Sequence, residues 1–216
     1  MQLEMSIRTI LFDLDGTLID TNELIVESFK HTIREHLGEE YKREDILPFM
    51  GSPLRDMLEK VKPDEVEDMM KTYRTHNLAN HDLFVKSFDG VFETIKALHE
   101  KGIPMAIVTT KIHKTALKGL ALTELDQFFD VVIGLDDVSQ AKPDPEPVLK
   151  GIRALNGDPG TTLMIGDNSH DIHAGQNAGT KTAGVAWSAK GRDFIESLEP
   201  DYVLNHISDL LDIVEE

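Results

Sequence analysis

The 216 residues carry 39 acidic against 22 basic side chains, a formal charge of −17, and 40% of them are apolar. That balance excludes a nucleic-acid partner, because phosphate binding needs a basic face, and no apolar run approaches the ~20 residues of a membrane span. Cysteine is absent, which excludes disulfides, thiolate nucleophiles and cysteine-ligated zinc and fits a reducing cytosol.

The opening residues MQLEMS lack a basic start and an apolar stretch, so no secretory signal is expected and a cytoplasmic location is. Met5 offers an alternative start. The length suits one large domain, or one domain with a small partner. The acidity keeps the chain soluble. An anionic substrate would still need local cations or a metal, since screening over about 8 Å removes distant charge from the problem.

In chain order, "RTILFD" predicts a buried strand ending at Asp13. Ile25, Phe29, Ile33 and Leu37 recur at spacing four and predict a helix, with Asp20 or Thr21 as its cap. Further helices are predicted around Leu54–Val61 and Glu65–Leu78, punctuated by Pro48, Pro53 and Pro63. No strand is expected between about Leu18 and Lys86. Met69 and Met70 read as core of this helical block, and the acidic run Asp64–Asp68 as a solvated face.

After "SFDG" the pattern alternates. Helices are predicted over Val91–Lys101, Lys114–Leu120, around Val148–Leu155, over Ser169–Ala178 and in the closing "HISDLLDIVEE". Strands are predicted in "PMAIVTT", "DVVIG", "TLMIGD" and "KTAGVAW". Trp187 ends the last of these and reads as packing. Alternation implies parallel strands with helices on both faces. The fold class is therefore α/β: a parallel sheet core, residues 1–17 and 87–216, with an inserted all-helical cap domain, residues 18–86.

Asp13 and Asp15 stand one residue apart where the first strand ends. Residues two apart share a side while the chain stays extended, and ligands in open α/β sheets sit beyond the carboxyl ends of strands. A calcium loop does not fit, because glycine comes at the fourth position and Leu24 at the twelfth. Other strand ends deliver Thr109 and Thr110, then Asp167 with Asp171 four residues on. Between them "AKPDPEP" carries Lys142 ahead of a rigidifying proline. Carboxylates, hydroxyls and an ammonium thus converge on one predicted edge. "AGQNAGTKT" lacks the glycine spacing and the lysine of a phosphate-binding P-loop and reads as helix end, turn and strand. His170 and His173, three apart on a predicted helix, are a weak zinc pattern.

With "FDLDGT", "VTT", "AKPDPEP" and "GDNSHD" in this order, the chain resembles the haloacid dehalogenase-like hydrolases over nearly its whole length. The resemblance implies a Rossmann-like core with a helical cap after its first motif, magnesium and an aspartyl-phosphate intermediate. It makes Asp13 the nucleophile and Asp15 the acid that protonates the leaving group, then the base that activates water. Asp13, the main-chain oxygen of Asp15 and Asp167 would hold Mg²⁺, for which hard oxygen ligands are suited. Lys142 and Thr109 would bind phosphoryl oxygens, with main-chain N–H groups near Leu14 and Thr110 assisting. Asp171 would support the metal shell, orient Lys142, or serve as a helix N-terminal acid.

Asp15 sets the chain apart from the dehalogenases, which lack an acid there. Thr17 and Gly166-Asp167 set it apart from the β-phosphoglucomutases. The stretches "DTNELI", "YKREDILPF", "LDDV", "AGTKTAGVAW" and "EPDYVL" resemble the inorganic pyrophosphatases of this family from low-GC Gram-positive bacteria. The expected substrate is then a small phosphate anion, pyrophosphate, handled by a monomer with no nucleic-acid or membrane partner. Arg55, near the start of a cap helix, and Lys111, after Thr110, are the candidate cations for its second phosphate. Phosphoglycolate phosphatase is the alternative activity, and a non-catalytic binding protein on the same fold the alternative class.

Overall fold

A computed structural model describes residues 6–215; Met5 and the MQLEMS opening, read above, lie largely outside them, as does the last residue of the segment predicted as the closing helix. The first strand, β1 (Thr9–Phe12), is buried along its whole length. It pairs in parallel with β4 (Met105–Val108) on one side and β6 (Thr162–Gly166) on the other, Phe12 standing opposite Ile107 and Ile165. With β5 (Val131–Ile133), β7 (Lys181–Val185) and β8 (Tyr202–Leu204) the sheet order is β5-β4-β1-β6-β7-β8, parallel throughout.

Both faces of the sheet are covered, as parallel strands require. Side chains alternate: Ile10 and Phe12 enter one apolar cluster with Val91, Ile95 and Leu98 of α5 (Val91–Glu100) and Ala116 and Leu120 of α6 (His113–Leu122). Leu11, between them, enters the opposite cluster with Val148 and Ile152 of α7 (Glu146–Ala154) and Ala174 of α8 (Ser169–Ala178). Two short helices, α9 (Arg192–Glu196) and α10 (Asp209–Ile213), complete the core.

The inserted block comprises α1 (Asn22–Leu37), α2 (Arg43–Ile46), α3 (Leu54–Glu59) and α4 (Val66–Phe84). It has its own apolar cluster, including Phe29, Ile33, Leu58, Met69 and Met70. The acidic run is exposed at Asp64, Glu67 and Asp68, but Val66 is buried.

Four expectations need correction. The block is entered and left through a two-stranded antiparallel ribbon, β2 (Ile19–Asp20) against β3 (Lys86–Ser87), where no strand was expected. Two residues carry no period, so a strand this short leaves no pattern. β8 was likewise unassigned, being three residues long and only partly buried. The closing helix is five residues rather than the whole segment. Finally, Thr21 occupies the N-cap position of α1 without a side-chain cap bond; Asp20 Oδ1 instead accepts from Asn22 N at 3.1 Å, and Thr21 Oγ1 is buried without a partner.

Candidate active site

The site lies where the carboxyl ends of β1, β4 and β6 meet. Asp13 follows β1, its N–H donating to Ile165 O at 2.8 Å. Thr109 follows β4 and is buried; its Oγ1 accepts from Lys111 N at 3.1 Å. Asp167 follows β6. After Asp15 the chain turns at Gly16, whose φ of +82° is the left-handed region open to glycine. A Cβ there would lie 2.4 Å from Asp167 Oδ2. Glycine thus lets the loop after β1 press onto the carboxylate delivered by β6.

Lys142 reaches in from the loop before α7 and is 3% exposed. Its Nζ donates to Asp13 Oδ1 at 2.7 Å, Val108 O at 2.7 Å and Asp171 Oδ1 at 2.6 Å. All three ammonium protons are accounted for, which a buried lysine needs. Burial works against its charge, but Asp13 and Asp171 outweigh burial and raise its pKa. Asp171 closes a capping box at the start of α8, its Oδ2 accepting from Asn168 N at 3.1 Å. Two of the three readings of Asp171 are thus realised together: it orients Lys142 and it is a helix N-terminal acid.

One oxygen each from Asp13, Asp167 and Asp171 lie within 4.8 Å of one another, the one such cluster among the described residues; the His170 and His173 pair forms none. Burial pushes the Asp13 carboxyl up to about 7, with Lys142 opposing and Asp171 and Asp15 adding to the rise. Burial, then the Asp171 and Asp13 charges, hold Asp167 well above the carboxylate range. Three buried carboxylates thus share one buried ammonium, and the residues lack positive charge. A divalent cation with a preference for hard oxygens fits that deficit and that donor set.

Asp15 stands on the open side, where Lys111 Nζ donates to its Oδ1 at 2.7 Å. Both line a cavity of about 1060 Å³ between sheet edge and helical block. Thr110 and Arg55 line it too. Thr110 Oγ1 is 3.5 Å from Gly51 O, the outer limit of a hydrogen bond. Arg55 is exposed and paired with Glu67 and, at 3.6 Å, with Glu59.

Some site residues escaped the sequence reading. Asn168 Nδ2 donates to Met50 O at 2.7 Å, and Lys190 Nζ reaches the same oxygen at 3.1 Å and Asn168 Oδ1 at 3.2 Å. Together they fasten the loop after α2 to the core. Gly51 has φ +96°, and a Cβ there would lie 2.1 Å from Asn168 Nδ2. Ser188 Oγ donates to Asp167 O at 2.8 Å. Asn168 had a signal, as an N-cap residue three before an acid; Lys190 and Ser188 had none. Trp187 packs on Phe88 as expected, and its Nε1 also donates to Thr17 O at 3.2 Å.

A buried carboxylate at a strand end, a lysine fixed on it and a second acid facing an open cavity define a hydrolase of one family. The chain belongs to the haloacid dehalogenase-like hydrolases, whose family model matches residues 10–185. Among curated proteins it is 55% identical to Pyrophosphatase PpaX of Anoxybacillus flavithermus, over 97% of this chain and 98% of that one. It is 53% identical to Pyrophosphatase PpaX of Halalkalibacterium halodurans over the same shares. Among solved structures, a haloacid dehalogenase-like hydrolase from Bacteroides fragilis superposes with a TM-score of 0.88 at 26% identity, covering 94% of this chain and 99% of that one. No helix among the described residues is long and apolar enough to cross a membrane.

Proposed function

We propose that the chain is a Mg²⁺-dependent pyrophosphatase working through an aspartyl-phosphate, as a cytoplasmic monomer, with residues 18–86 acting as a cap over the core of residues 1–17 and 87–216. The observation that carries the chemistry is Asp13 held by the buried Lys142 beside Asp167. The substrate choice rests on the similarity to the PpaX proteins along nearly the full chain.

Asp13, Asp167 and the main-chain oxygen of Asp15 would hold the magnesium, which when bound neutralises charge between carboxylate and phosphate. Lys142 holds Oδ1 of Asp13 and so fixes the carboxylate that attacks phosphorus. As the O–P bond forms, the bond from phosphorus to the bridging oxygen breaks, and Asp15 gives its proton to the departing phosphate. Water then attacks the aspartyl-phosphate, Asp15 takes its proton, and Asp13 is regenerated with release of the second phosphate. Thr109 and Thr110 contribute donors to the transferred group. Lys111 lies beside Asp15 and serves the leaving phosphate, with Arg55 joining when it exchanges its glutamates for substrate.

Phosphate release from pyrophosphate and from phosphoglycolate, each with and without Mg²⁺, tests the reading. The expected result is Mg²⁺-dependent release with the higher kcat/KM on pyrophosphate. Faster turnover of phosphoglycolate would replace the substrate, and no release from any phosphate compound would leave only a binding protein.

A further inference from the structure

The cavity wall carries five basic side chains in a protein of charge −17. Three of them are paired with carboxylates and reach a substrate only by sharing or leaving those partners: Arg55 with Glu67 and Glu59, Lys111 with Asp15 at 2.7 Å, and Lys118 with Asp82 at 2.8 Å. Arg74 of α4 and Lys114 of α6 have no carboxylate partner among the described residues and remain fully available to an anion.

Arg74 belongs to a continuous face of α4. Glu67, Met70, Tyr73, Arg74, Asn77 and Leu78 all line the cavity, at the spacings of three and four that put helical residues on one side. Tyr73 is 8% exposed and lies one helical turn from Asn77, which also lines the cavity. It lies close enough to Asp15 for that charge to join burial in raising its phenol. The face therefore places Tyr73 near the residue that protonates the leaving group and a guanidinium next to it in the same cavity wall. A guanidinium offers paired donors that match phosphate oxygens.

We infer that Arg74, backed by the Tyr73–Asn77 pair, binds the departing phosphate and sets the preference for a phosphoanhydride over esters with uncharged leaving groups. This rests on the pyrophosphatase reading and adds to it the residue of specificity. Substrate binding would set a guanidinium from the cap against one phosphate while Asp13, held by Lys142, meets the other.

The test is kcat/KM on pyrophosphate and on p-nitrophenyl phosphate, with Mg²⁺, for the wild type, Arg74→Ala, Arg74→Lys and Lys114→Ala. Hydrogen bonds to charged groups predict that Arg74→Ala lowers the pyrophosphate to p-nitrophenyl phosphate ratio by roughly tenfold to a hundredfold, with partial recovery in Arg74→Lys. A ratio within about twofold of wild type for Arg74→Ala would overturn the inference. So would a ratio lowered by Lys114→Ala alone. Wild type that hydrolyses p-nitrophenyl phosphate but no pyrophosphate would remove the underlying reading as well, and does so before any variant is made.

Discussion

At the scale of single residues, Asp13 and Asp15 are separated by one leucine and by very different surroundings. Asp13 is 6% exposed and bonded to Lys142; Asp15 faces the cavity with Lys111. Those surroundings suit a nucleophile and an acid–base group respectively. Asp13→Asn is expected to abolish turnover, because the amide cannot form the acyl-phosphate. Asp15→Asn should retain substrate binding and slow both half-reactions by about 10²–10⁴-fold, the usual worth of general acid–base help. Steady-state phosphate release distinguishes the two, and more than about a tenth of wild-type activity in Asp13→Asn would refute its role. Both acids were visible in the sequence, as a pair at the end of an apolar run. Gly16 was visible only as part of the motif. Its purpose, making room for Asp167, depends on a strand that follows some 150 residues later in the chain, and no local pattern encodes that.

At the scale of elements, long periodic segments were legible and short ones were not. The helices near Val91–Glu100 and Ser169–Ala178 match their apolar spacing within a residue. The predicted Glu65–Leu78 helix continues to Phe84, because its last turn finishes on His81 against α6 rather than on a local stop signal. His81 is 1% exposed, with Nδ1 2.9 Å from Asp82 Oδ1 and Nε2 without a partner. Burial lowers its pKa from the ordinary 6.5; Lys111 and Lys118 push the same way, and Asp82 opposes. The folded form thus binds this proton less readily than the unfolded chain. Its stabilising contribution is complete above about pH 6.5 and is lost as the pH falls from there towards the lowered value. Thermal midpoints measured between about pH 7 and pH 5 should fall more steeply for the wild type than for His81→Gln. Parallel slopes would show that His81 takes up its proton equally readily in the folded and unfolded chain.

At the scale of the molecule, the balance of charge decides most. Excess acidity, with three carboxylates buried around one lysine, makes the metal-free protein store unfavourable electrostatics in its centre. Chelation should remove activity, Mg²⁺ should restore it, and Ca²⁺ should do so poorly, since calcium takes more oxygens at longer distances. A readout independent of turnover follows from the same charges. At Mg²⁺ a hundredfold above its dissociation constant, binding adds about 2.7 kcal/mol, a rise of roughly 5–10 °C in thermal midpoint for a chain of this size. Asp167→Ala should lose most of that rise, and an unchanged midpoint in the wild type would mean that the cluster takes no cation.

The ribbon of β2 and β3 bears on how this chain finds its fold. The central strand must meet partners far along the sequence, Ile10 beside Met105 and Leu163, and distant partners ordinarily slow a folding search. Antiparallel pairing sets Ile19 opposite Ser87 and Asp20 opposite Lys86, so the chain enters and leaves the inserted block about 5 Å apart. Once those helices have collapsed on their own apolar cluster, the route from β1 to β4 becomes a short detour, and the entropy of closing it shrinks accordingly. The insertion that gives the cavity its roof therefore also abbreviates the loop that the sheet has to close.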